Sequence, residues 1–70
     1  MRISYDREAD ALYIRFKDTT VTTEHLAGGI AADYDADGKL AGIEVLDASI
    51  RLGDHSTFKQ IVLEELAFAK

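Results

Sequence analysis

The stretch Asp33–Ser49, DYDADGKLAGIEVLDAS, constrains this chain more than any other. At its start Asp35-Ala36-Asp37-Gly38 specifies a tight hairpin turn. Aspartates bond nearby backbone amides, and glycine takes the positive φ that short hairpins need. Lys39–Leu46 then reads as a strand. Ile43 and Val45 fall on one face; Leu40, Gly42, Glu44 and Leu46 fall on the other. Apolar residues on both faces predict a central strand covered on one side by a helix. Upstream of the turn, Ile30–Tyr34 has strand character, with Ile30, Ala32 and Tyr34 sharing a face.

The rest of the chain supplies further strands. Arg2–Tyr5 is a short one, with Ile3 and Tyr5 on one face. Asp6–Asp10 has no apolar period and is rich in turn formers. Ala11–Lys17 alternates cleanly, with Leu12, Ile14 and Phe16 against Tyr13, Arg15 and Lys17. The connection is too short for a crossover, so these two strands predict an antiparallel hairpin. Asp18-Thr19-Thr20 is a loop, and Thr20–Thr23 can carry a strand beyond it. Glu24–Ala27 is open between assignments, and Gly28-Gly29 marks a bulge or a close backbone approach.

Towards the C-terminus, Asp47–Gly53 predicts a single helical turn, capped by Asp47 and closed by Gly53. Thr57–Gln60 has the spacing of a capping box. Phe58, Ile61, Val62, Leu66 and Ala69 recur at helical spacing. Leu63 and Phe68 lie off that stripe, so the helix carries more apolar surface than one sheet face needs. The expected fold is α+β: a small antiparallel sheet of about four strands, meander-like, with a C-terminal α-helix. The chain reads as one domain over 1–70, with the sheet in 1–49 and the helix in 57–69.

Two segments resemble the signature blocks of a family of small bacterial and archaeal proteins catalogued as a domain of unknown function. They are Tyr5-Asp6-x-Glu8-Ala9-Asp10-Ala11-Leu12-Tyr13-Ile14 and Asp35-x-Asp37-Gly38-x-x-x-Gly42-Ile43-Glu44-Val45-Leu46-Asp47-Ala48-Ser49. The resemblance covers roughly residues 3–52 and implies the sheet core, with a partner or regulatory role. It carries no catalytic residue over to this chain.

Size and composition narrow the function. Seventy residues allow one small domain with a marginal core. The absence of cysteine removes disulfides and thiolate metal sites, leaving a carboxylate-bound metal, a partner or an unusually efficient core as support, and a homo-oligomer is the commonest of these. Eight basic against 13 acidic residues give a net charge of −5, and the basic residues form no stripe, which argues against nucleic acid as a partner. The N-terminus has no apolar run, and no segment is long and apolar enough for a membrane span. A soluble cytoplasmic protein is expected.

Several motifs invite sharper claims. Asp33-x-Asp35-x-Asp37-Gly38-x₅-Glu44 matches the calcium-loop pattern at every specified position. Calcium takes six to eight hard oxygens, and such a loop supplies them from alternate carboxylates and a terminal bidentate Glu. That loop needs a helix on each side, whereas these flanks read as strands. A solvated acidic turn is therefore the reading preferred for Asp33, Asp35 and Asp37. Asp6, Glu8 and Asp10 form a second acidic cluster, which reads as a turn unless the two acidic turns meet at one end of the sheet. His25 beside Glu24, and His55 between Asp54 and Ser56, assemble no triad. Gly28-Gly29 lacks a nucleotide-loop framework.

No catalytic, cofactor-binding or metal residue is assigned, and no cofactor is expected. The expected function is a non-enzymatic, homo-oligomeric interaction or regulatory module, dimeric and of an antitoxin-like kind, with a protein partner. The alternative is a divalent-metal or small-ligand domain using Asp33, Asp35 and Asp37, with Asp6, Glu8 or Asp10.

Overall fold

A computed structural model describes residues 1–53, together with Val62 and Glu64. The expected helix over 57–69 lies outside the described residues, apart from those two positions. Among the described residues five strands and one short helix follow in order: β1 (Arg2–Asp6), β2 (Ala11–Arg15), β3 (Thr22–Ala27), β4 (Ile30–Tyr34), β5 (Leu40–Val45) and α1 (Ala48–Arg51). The strands form one antiparallel sheet in the order β1-β2-β5-β4-β3.

The expectation of about four strands in a meander is corrected in two respects. Thr22–Ala27 forms a fifth strand, exposed along its whole length. The sheet is also not a simple meander. After β2 the chain crosses to the far edge as β3, then returns through β4 so that β5 pairs with β2. The Phe16 N–H bonds the Ala41 carbonyl at 2.8 Å as the chain leaves β2. β5 is the central strand, as expected, and the β1–β2 hairpin forms as expected.

Register turns the alternating pattern into two continuous apolar rows. Ile3, Ile14, Ile43 and Ala32 lie side by side across four strands. Tyr5, Leu12, Val45 and Ile30 form the next row on the same face. Two rows on the other face are mostly polar: Ser4, Tyr13, Glu44, Ala31 and His25, then Arg2, Arg15, Gly42, Asp33 and Thr23. A shift of one residue would exchange the faces, so this patterning fixes the pairing.

The buried apolar residues among those described are small: Ala31, Ala32, Ala41 and Ala48. Ile3 is 37% exposed and Ile50 77% exposed. No large side chain among the described residues is fully buried.

The turns follow local chemistry. Gly38 takes φ 80° in the β4–β5 turn, where the Asp35 carboxylate Oδ1 accepts the Asp37 and Lys39 amides at 2.9 and 2.8 Å. Gly28-Gly29 links β3 to β4, with a bulge just before it between His25 and Ala27. Gly29 has φ 93°, and a Cβ built there would stand 2.7 Å from Arg51 Nη2, so the expected close approach is to a side chain of α1. Arg51 Nε in turn donates to the Leu46 carbonyl at 3.0 Å.

The single helical turn exists as expected, with Gly53 (φ 107°) beyond its end. Its cap differs from expectation. Asp47 occupies the N-cap position in the left-handed region (φ 52°, ψ 43°), and its side chain makes no cap hydrogen bond. The carboxylate that takes this part comes from Asp10.

Candidate functional site

Two polar assemblies hold the sheet, and each joins residues distant in sequence. The first lies at the β1–β2 turn. Asp10 sits at φ 53°, a conformation that Asp tolerates better than most residues. Its carboxylate accepts the Tyr5 hydroxyl at 2.5 Å, the Ser49 amide at 3.1 Å and the Ser49 hydroxyl at 2.8 Å. Its backbone carbonyl accepts the Ala48 amide at 2.9 Å. Asp10 thereby caps α1 from across the fold. The bond from Tyr5 to this carboxylate, with some burial, raises the phenol pKa above its ordinary value. Beside it, Asp6 Oδ1 accepts the Glu8 and Ala9 amides at 3.0 and 3.2 Å, forming an Asx turn.

The second assembly crosses the polar face. Gly42 is buried in the central strand, and the Tyr13 ring lies over it. A Cβ at Gly42 would stand 2.5 Å from Tyr13 Oη and 3.0 Å from Cζ. Passing over this gap, the Tyr13 hydroxyl donates to Asp33 Oδ2 at 2.5 Å. The Thr23 hydroxyl donates to Asp33 Oδ1 at 2.6 Å. One chain of hydrogen bonds therefore spans β2, β4 and β3 while bridging β5. The Arg15 guanidinium carbon lies 5.3 Å from the Tyr13 ring centroid, within cation–π range, and Arg15 pairs with Asp18 at 3.4 Å.

The electrostatics of this cluster follow from its hydrogen bonds. The hydrogen bonds from Thr23 and then Tyr13 hold the Asp33 carboxyl below its ordinary value. The bond to Asp33, and then burial, push the Tyr13 phenol up. Both shifts have one source, the neutral phenol donating to the ionised carboxylate, and the pair serves to hold β2 to β4.

The linkage has a definite sign. A depressed carboxylate stabilises fully above its ordinary value of 3.8, and that contribution is lost as pH falls through the lower folded value. Asp33→Asn is expected to lower stability by about 1 kcal/mol at neutral pH, a figure kept small by solvent screening. The loss should shrink towards zero in denaturant titrations carried to strongly acidic pH. An equal loss at all pH values would contradict this origin.

The calcium-pattern residues do not converge. Asp33 lies within β4 opposite Gly42, and Glu44 lies within β5 opposite Tyr13 and Ala31. Asp35 Oδ1 holds the turn amides, while its Oδ2 accepts from Lys17 Nζ in an ion pair. That lysine bond, followed by the Lys39 amide, lowers the Asp35 pKa. The two acidic turns also sit at opposite ends of the sheet, since Asp6 and Ala11 flank the end where Leu12 meets Val45, whereas the β4–β5 turn adjoins the end where Arg15 meets Gly42. Their meeting at one end is thus ruled out by the register. Among the described residues no three His, Cys, Asp or Glu side chains gather as a metal requires. Millimolar calcium, magnesium or manganese should leave the melting temperature unchanged, whereas a specific site would add about 2.7 kcal/mol at a hundredfold excess over Kd.

His25 is exposed on the polar face opposite Ala31, and Glu24 faces the other way opposite Ala32, so the two do not act together. His55, Asp54 and Ser56 lie outside the described residues. Tyr13, Thr23, Lys17 and Gly42 were not singled out by sequence reasoning. The available signal was Gly42, because a glycine inside a strand often marks a close approach.

The fold defines a small, all-antiparallel sheet module whose polar clusters tie distant segments together. The chain belongs to the family described as "Protein of unknown function (DUF2283)", whose model matches residues 2–49. No curated protein and no solved structure matches the chain. Both signature blocks lie within the match, and Asp10 of one block binds Ser49 of the other. Among the described residues no helix is long and apolar enough to cross a membrane.

Proposed function

We propose that the protein is a non-enzymatic interaction module of the cytoplasm, working as a homo-oligomer that engages another protein in a regulatory, antitoxin-like role. The observation behind this reading is the apolar face of the sheet. Its two rows present Ile3, Ile14 and Ile43, then Leu12, Val45 and Ile30, yet no large side chain among the described residues is fully buried. Sheets of this kind need a second layer over one face. Part of that layer is expected from the apolar stripe of 57–69, which is also the basis of the α+β assignment. The surplus of apolar surface favours a subunit contact.

Sedimentation at micromolar concentration tests the reading. A species of twice the chain mass is expected, and a stable monomer over the whole accessible range would overturn it.

A further inference from the structure

Among the described residues the sheet ends in β1 on one side and β3 on the other, and the two edges differ. β3 carries a bulge between His25 and Ala27, a feature that turns an edge away from further pairing. β1 keeps an unbroken register with β2 from Arg2 to Asp6 and is exposed along its length except at Tyr5. Its sequence, RISYD, contains no proline, glycine or lysine.

Hydrogen-bond phase decides which β1 groups face outwards. The Phe16 amide bonds Ala41 O at 2.8 Å, and the Leu46 amide bonds Gly29 O at 2.7 Å. Successive residues of a strand turn their amides to opposite sides. It follows that Ala11, Tyr13 and Arg15 turn towards β1, and that Asp6, Ser4 and Arg2 answer them. Ile3 and Tyr5 accordingly direct their amide and carbonyl groups to the outer edge of the sheet.

RISYD is also complementary to itself. Laid antiparallel on a second copy about Ser4, it sets Arg2 opposite Asp6, Ile3 opposite Tyr5, and Ser4 opposite Ser4. Arg2 is in particular need of such an acid. Within its own chain it stands directly opposite Arg15, a like-charge pairing that destabilises a sheet. Arg15 has Asp18 as its partner, while among the described residues no ion pair involves Arg2. Asp6 has capacity for this contact, because its Oδ1 takes both turn amides.

We propose that β1 is the self-association edge, pairing antiparallel with β1 of a second copy about Ser4 and joining two five-stranded sheets into one. The inference rests on the self-association reading above and names its surface. The two-fold axis runs perpendicular to the sheet, so both apolar faces stay on the same side. The row containing Ile3 then runs on into the Tyr5 row of the second copy. Arg2 and Asp6 of the second copy meet in a non-hydrogen-bonded pair, where side chains approach most closely.

Arg2→Glu separates this arrangement from a general loss of stability. Within the chain it replaces the Arg2–Arg15 repulsion by an attraction, so the unfolding midpoint at low, monomeric concentration should hold or rise. Across the edge it sets Glu against Asp6 twice, and the dimer Kd by sedimentation should weaken roughly tenfold or more. Hydrogen exchange supplies a readout that needs no variant: the Ile3 amide should gain protection as concentration passes Kd. A dimer in which Ile3 exchanges at the same rate at every concentration, or whose Kd is unmoved by Arg2→Glu, would overturn the edge and leave the self-association reading standing. A wild-type chain that is monomeric throughout would overturn both.

Discussion

Replacing Asp10 by alanine is expected to cost about 3 kcal/mol of folding stability, from lost charge-assisted hydrogen bonds and a strained left-handed backbone. A chain of this length has only about 4–10 kcal/mol in total, so the variant should be partly unfolded at physiological temperature. The effect is large because one carboxylate serves Tyr5 and both polar groups of Ser49. It also occupies a φ of 53°, where alanine is disfavoured. The two contributions can be divided. Asp10→Gly restores backbone freedom and should recover about 1 kcal/mol relative to alanine, though not the bonds. Asp10→Asn tolerates the same backbone and keeps a neutral acceptor, so it should be the mildest of the three. Chemical denaturation of the series checks this order, and an alanine variant as stable as the asparagine one would refute it.

Gly42→Ala is the second large effect, at about 2–3 kcal/mol, within the range for overpacking at a close approach. The new Cβ would meet Tyr13 Oη at 2.5 Å and the Ile14 carbonyl at 3.1 Å. The ring must swing away, which breaks its bond to Asp33 as well. Tyr13→Ala removes the ring in advance, so Gly42→Ala should cost markedly less in that background. Additive losses in the double-mutant cycle would show that the two residues are not coupled. A residual cost is expected even then, because the Ile14 carbonyl is backbone and yields little.

These two sites show how far the sequence could be read. The faces of β1, β2, β4 and β5 were legible because a half-buried sheet imposes a period of two, and Ile3, Ile14 and Ile43 do align across the observed register. β3 was less legible, because Thr22–Ala27 is exposed throughout and bulged, so burial imposes no pattern on it. Strand order was hidden for a different reason: alternation shows which face a residue takes but not which edge its strand joins. The helix cap was misread because Asp47 has the right residue type at the right place, whereas the acting carboxylate is 39 positions away in sequence from Ser49. The calcium pattern arose because aspartates and glycine also build a hairpin turn. Gly42 could be placed on a strand face from alternation, and only register sets Tyr13 above it.

The strand order has a kinetic consequence. β1–β2 and β3–β4–β5 each close through short connections, and either can form from local contacts alone. The pairing of β2 with β5 is the non-local step, since Leu12 must find Val45 across the intervening meander. Loop-closure entropy opposes that step until the seam is made, so it should dominate the folding barrier. Tyr13, anchored on β2 and bonded to Asp33 beyond β5, is the latch across the seam. Weakening it should slow folding, while changes confined to the β3–β4 turn should chiefly speed unfolding.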